Sequence, residues 1–146
     1  MNWLLDTNVI SEMRKPRPHE NVLTWYRSVN INQMHTSTLN IAELVYGAEI
    51  QKDLIKRREL LRWIDEDVRR LLSGRIKEIS ENVLVRWRIV TRETEIKKEQ
   101  GPATDLLIAA AALEYQLQVV TRDTNPFIAT GVPTFNPWTG ERFNGA

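Results

Sequence analysis

Residues 3–11 read WLLDTNVIS, and residues 117–127 read LQVVTRDTNPF. Each opens with an apolar run of strand length and little polar alternation, the pattern of a strand covered on both faces. Each then turns polar and reaches an aspartate, Asp6 directly after the first run and Asp123 two residues after the second, past Thr121 and Arg122. A strand buried on both faces needs helices above and below it, and the residues between the two stretches supply them. Working outward from these segments gives an α/β fold: a single-domain α/β/α sandwich with a small, mainly parallel central sheet, spanning residues 1–146.

After Asp6, Thr7 and Asn8 can cap a helix running to about Met13, which Pro16 and Pro18 stop. Val22, Trp25, Tyr26 and Val29 recur at helical spacing and predict a second helix with one buried face. QMHTS, residues 33–37, reads as a strand, and a helix from about Leu39 to Gln51 comes next, burying Ile41, Leu44, Val45 and Ala48 and carrying Glu43. Residues 53–72 predict one amphipathic helix with Leu54, Leu61, Ile64, Val68 and Leu71 in a stripe, ended by Ser73-Gly74. Ser80 opens a further helix with Val83, Trp87 and Val90, which fades into the charged stretch Glu93 to Gln100. Gly101-Pro102 begins the next element, with proline in its first turn, and Thr104 to Gln116 is apolar nearly all round, a helix buried between neighbours. PTFNPW, from Pro133, predicts a last short edge strand.

Composition narrows the chemistry. The net charge is +1, from 20 Lys and Arg against 19 Asp and Glu, so any contact with a polyanion must come from local patches. Absence of cysteine excludes a disulfide framework, a thiolate metal site and a cysteine nucleophile together. With only His19 and His35, a histidine-rich metal site is excluded as well. The chain reaches Asp6 too soon for a signal-peptide core, and the longest apolar run, Leu106 to Leu113, is too short to span a bilayer. A soluble, cytoplasmic protein with no membrane contact is expected.

Four carboxylates interrupt apolar surroundings: Asp6 in WLLDTNVIS, Glu43 in NIAELVYG, Asp105 in PATDLLIAAA and Asp123 in VVTRDTNPF. Ionised side chains rarely sit where an element buries itself unless something compensates them. A divalent cation would do so, because hard oxygen ligands suit Mg²⁺ or Mn²⁺ and the ion cancels the mutual repulsion. In open parallel sheets ligands collect beyond the carboxyl ends of strands, and Asp6 and Asp123 each come at or just after such an end. Each acid also has an ordinary reading. Asp6 and Asp123 can cap helices, Asp105 suits a helix first turn, and Glu43 can pair with an arginine such as Arg122. Asn8 and Thr121, beside the strand-end acids, can supply neutral oxygens, position water or cap.

LLDTNVISE, STLNIAELVYG, TDLLIAAAA and VVTRDTNPF succeed one another in this order over most of the chain. This ordered set resembles the signature blocks of PIN-domain proteins. More narrowly the chain is similar to the VapC-type toxins of bacterial toxin-antitoxin pairs, in the FitB-like branch, whose C-terminal ends also read like VPTFNPW. The resemblance implies the toxin of a type II toxin-antitoxin system, an Mg²⁺-dependent endoribonuclease for which Mn²⁺ can substitute. Asp6, Glu43, Asp105 and Asp123 are then the catalytic and metal-binding set. It further implies a homodimer, an RNA substrate of the transfer RNA class, and a VapB-type antitoxin whose C-terminal segment covers the acidic cleft. DNA is reached only through that antitoxin. Where many relatives carry a second acid in the turn after the last strand, this chain has Asn125 and Pro126. The site is therefore a four-acid one, with one or two ions left open.

Such a site hydrolyses phosphodiesters with water activated by a metal ion, and a second ion roughly 4 Å away can stabilise the leaving oxygen. The products would be 5′-phosphate and 3′-hydroxyl ends, with no need for a protein nucleophile. Arg14, Lys15 and Arg17 come soon after the first acid and are expected to contact RNA; the cluster Lys52, Lys56, Arg57, Arg58 and Arg62 serves equally as a solvated or dimer-facing surface. Trp25, Trp63 and Trp87 fall on apolar faces as core or interface residues. The stripe of residues 53–72, with Trp63, offers more apolar surface than one small sheet needs, which suits a dimer contact. Two rivals differ in class: a fold retained only to bind an antitoxin, and a nuclease cutting DNA flaps, against which the absence of an insertion argues.

Overall fold

The computed structural model describes residues 1–99 and 101–145. Its strands are β1 (Trp3–Leu5), β2 (Met34–Ser37), β3 (Ile76–Lys77), β4 (Gln118–Val120), β5 (Thr134–Phe135) and β6 (Arg142–Phe143). Its helices are α1 (Thr7–Arg14), α2 (Glu20–Ser28), α3 (Thr38–Glu49), α4 (Leu54–Trp63), α5 (Arg69–Leu71), α6 (Glu81–Lys97), α7 (Ala103–Glu114) and α8 (Asn125–Ile128). The strands form one sheet in the order β3-β2-β1-β4-β5-β6, parallel throughout except for β6, which runs antiparallel to β5.

Alternation along the central strands splits the core into two layers. Trp3, Leu5 and Val120 face α1, α2, α3 and the α4 segment, packing with Val9, Val22, Ile41, Leu44 and Ile64. Leu4 and Val119 face the other way, onto the alanine run of α7, Val83 of α6 and Phe127 of α8. The α/β/α sandwich expected from the sequence is the fold observed.

Several elements depart from their expected form. The helix expected over residues 53–72 is interrupted by a π-turn, Ile64–Val68, between α4 and α5. The extra residue rotates the chain beyond it, so Leu72 is buried at 1 % exposure while Leu71 is turned out at 42 %. Leu54, also assigned to the stripe, is exposed. PTFNPW is not the edge: β5 lies between β4 and β6, and β6 takes the edge position. Pro102 stands just before α7 at its cap position rather than inside the first turn. The charged stretch after Glu93 stays helical to Lys97, with Lys98 in the left-handed conformation at φ 57°; Gln100 lies outside the described residues. The cap of α1 is Asp6 itself, which accepts from the Thr7 amide at 2.8 Å.

Candidate active site

β1 and β4 are adjacent and parallel with Leu5 opposite Val120, so their carboxyl ends, and the acids just past them, open on the same side of the sheet. The amide of Asp6 donates to Val120 O at 2.9 Å and fixes the seam between them. From that seam a polar network spreads inward. Asp6 Oδ1 accepts from the Thr7 amide and from Asn40 Nδ2 at 3.2 Å, and Asp6 Oδ2 accepts from Thr121 Oγ1 at 2.8 Å. Asn40 is fully buried, and the Ser37 hydroxyl donates to its Oδ1 at 2.6 Å. That bond orients the amide group, which also donates to Thr7 Oγ1 at 3.2 Å. Thr7 has one hydroxyl proton, and it goes to Glu43 Oε2 at 2.7 Å.

Two of the four acids, Asp6 and Asp105, have carboxyls raised by their surroundings. Burial, first, and then the charges of Asp6, Asp123 and Glu43 push the Asp105 carboxyl up to about 6. Burial likewise raises Asp6; hydrogen bonds from Thr121 and Thr7 oppose it, and the charges of Glu43 and Asp123 add to it. The ordinary readings fare unevenly. Asp6 does cap α1, whereas the residue at the cap position of α8 is Thr124 and not Asp123. Glu43 takes its hydrogen bond from Thr7, not Arg122, whose guanidinium lies 5.4 Å from the centre of the Trp138 ring.

Asn8 and Thr121 hold the loop bearing Asp123. Asn8 Nδ2 donates to Thr121 Oγ1 at 3.2 Å and its Oδ1 accepts from the Arg122 amide at 3.3 Å, while the Asp123 amide donates to Thr121 Oγ1. Arg14 and Lys15 stand at a hollow shared with Thr7 and Glu43. Arg17 is exposed and not among its walls. Lys15 is held by buried Glu12 at 2.9 Å, which neutralises it in part. Ser37, Asn40 and Thr7 do not stand out as site residues in the sequence. The available signal is Asn40, four residues before Leu44 and so on the buried side of α3.

The donor set is oxygen only, and two of its carboxyls are raised by burial and crowding, the chemistry a hard divalent cation relieves. The four acids thus fit such an ion by charge and ligand type. Among the described residues, no three acidic or histidine side chains are grouped tightly enough to hold one as they stand.

The sequence matches the PIN domain family over residues 3–132. The chain belongs to the PIN-domain family. This PIN domain is 35% identical over 135 residues to Toxin FitB of Neisseria gonorrhoeae, covering 92% of this chain and 97% of that protein. It is 30% identical to a VapC ribonuclease of Sinorhizobium fredii, covering 92% of this chain and 96% of the relative. The solved structure of FitAcB from Neisseria gonorrhoeae superposes with a TM-score of 0.88 at 35% identity, covering 92% of this chain and 97% of that one. A structure of FitAB bound to a DNA fragment superposes at 0.87 with 33% identity, covering 92% and 94%. No helix of this PIN domain, among the described residues, is long and apolar enough to cross a membrane.

Proposed function

We propose that this PIN domain is the toxin of a type II toxin-antitoxin pair, acting as a single-domain, Mg²⁺-dependent endoribonuclease on RNA of the transfer RNA class in the bacterial cytoplasm. The observation that supports the reading is that Asp6 and Asp123 follow the carboxyl ends of the adjacent strands β1 and β4, that Thr7 and Asn40 link Asp6 to Glu43, and that the charges of the other three acids help raise the Asp105 carboxyl. A relative named Toxin FitB and another named a VapC ribonuclease support the toxin and ribonuclease parts.

A bound Mg²⁺, for which Mn²⁺ can substitute, supplies charge that activates water and stabilises the leaving oxygen. The rest falls to the chain. Asp6 is held on both oxygens by Thr7, Asn40 and Thr121, so it would present its carboxylate to the ion in a fixed orientation. Thr7 pins one oxygen of Glu43, Asp105 brings a carboxylate from the first turn of α7, and the Asn8–Thr121 contact steadies the turn carrying Asp123. Arg14, with Lys15 and Arg17 behind it, would meet the phosphates.

A VapB-type antitoxin covering the acidic cleft would silence the site and bring the pair to DNA. The solved structures of similar proteins, FitAcB and FitAB bound to DNA, support such a partner. A homodimer fits α6, where Val85, Ile89 and Ile96 are 54%, 53% and 71% exposed along one side. The α4 segment, expected from the sequence to carry this contact, buries Ile64 and Val68 within the protomer but leaves Leu54 and Ile55 exposed at 65% and 69%. Light scattering at micromolar concentration should give a dimer mass, and Val85→Glu should give the monomer.

The deciding experiment is cleavage of labelled RNA and DNA side by side. RNA cutting should require Mg²⁺ or Mn²⁺, stop with EDTA, and vanish in folded Asp6→Asn and Asp105→Asn. Undiminished cutting by both variants would remove the acids from the mechanism.

A further inference from the structure

Next to the acids lies a hollow of about 380 Å³. Thr7 and Glu43 form the wall it shares with the acid site, and Leu44, Leu60 and Trp63 give it an apolar side. Arg14 and Lys15, at the end of α1, stand on its rim. Gly47 also lines it, and a Cβ added there would meet nothing within 4 Å. Gly47 lies inside α3, where glycine is the poorest helix former after proline. No positive φ and no close neighbour calls for glycine there. What its missing side chain leaves is open space in the hollow that Trp63 also lines.

Two further features prepare this space. The Arg14 guanidinium lies 5.7 Å from the centre of the Trp63 ring, near the outer limit of a cation–π contact, so little holds it there. The ion pairs among the described residues do not include Arg14, whereas Lys15 is taken by Glu12. Glu12 also accepts from the His19 amide at 3.0 Å, anchoring the chain that leaves α1. Arg14 is therefore a cation free to leave the indole face for a phosphate.

We propose that this hollow receives one unpaired base of the RNA strand, stacked on the Trp63 indole, while Arg14 takes the adjoining phosphate. The proposal rests on the ribonuclease reading and names a subsite for its substrate. An apolar hollow with one aromatic wall and a cationic rim suits a nucleobase, whose flat face is apolar and whose backbone is anionic. A bare phosphate would find no donors on the Leu44–Leu60 side. The shared wall of Thr7 and Glu43 sets the bound base beside the phosphate at the acids, which makes the hollow a place where strand position is fixed by stacking rather than by pairing.

The test uses fluorescent single-stranded oligoribonucleotides in which one abasic position is walked along the strand. Affinity is read by anisotropy with Mg²⁺ in the Asp105→Asn background, so that the strand stays whole. One abasic position should cost about tenfold in affinity. Trp63→Leu should bind intact and abasic strands alike, and Trp63→Phe should restore the difference. Gly47→Leu, which fills the hollow without touching Trp63, should weaken the intact strand to the abasic level while leaving the melting temperature unchanged or higher. An abasic profile identical in Trp63→Leu and its parent overturns the proposal, and RNA cleavage by the protein with all four acids would then leave the ribonuclease reading standing. Unchanged RNA affinity in Gly47→Leu also overturns it. Absence of both RNA binding and cleavage overturns the proposal and the reading beneath it.

Discussion

Asp105 is the residue at which the site acts back on the fold. Its folded carboxyl titrates at about 6, against roughly 3.9 in an unfolded chain, so between these values the folded state holds the extra proton. Stability without a cation should therefore fall as pH rises from about 4 to 6. Asp6 is shifted in the same direction, while Glu12 is lowered by Lys15 and contributes stability that is lost only at lower pH. The difference between wild type and Asp105→Asn isolates the residue: in EDTA melts, the wild type should lose ground to the variant across that window. A constant offset would show that Asp105 keeps an ordinary carboxyl. All four acids are legible in the sequence because each lies within or beside an apolar run: Asp6 ends one, Glu43 interrupts one, Asp105 precedes one and Asp123 follows one by two residues. Asn40 and Thr7 are not, because a polar residue at the start of a helix reads as a cap until a partner distant in sequence is in view. Asp6 and Glu43 are those partners.

At the scale of elements, the π-turn between α4 and α5 decides which leucine the core receives. Leu72→Ala should cost about 2–5 kcal/mol in urea unfolding, and Leu71→Ala no more than about 0.5 kcal/mol. A continuous α-helix would exchange the two results. The stripe drawn from residues 53–72 errs here for a physical reason: helical periodicity extrapolates a regular rotation, and one inserted residue ends the regularity without changing composition. Ile64, Val68 and Leu72, spaced evenly by four, are the trace it leaves. The strands β3 and β6 escape notice because two residues are too few to show a period; they are strands only because β2 and β5 lie alongside. The long, strongly patterned elements α2, α3 and α7 are legible to within a few residues.

For the molecule as a whole, the proposed cation would link binding to stability. Gln in place of Glu43 can still accept the Thr7 hydroxyl proton but removes one charge from the crowd, so Glu43→Gln should melt no lower than wild type in EDTA. Adding Mg²⁺ should then stabilise the wild type by about 2.7 kcal/mol at one hundred times its dissociation constant, and the variant much less. Parallel gains in the two proteins would show that the ion binds away from Glu43.

The central seam also sets a schedule. β1 is made first, yet one of its two partners, β4, comes more than one hundred residues later, and Asp6 is held by Thr121 across that same interval. Parallel pairing over so long a loop is late by its nature, since closure of the chain must precede its reward. A ribosome that has delivered Asp6, Glu43 and Asp105 has therefore not yet delivered the strand against which Asp6 is held. Only when the segment around residues 118–123 has emerged can β4 pair with β1, Thr121 take up its bond to Asp6, and Asp123 join the other three acids.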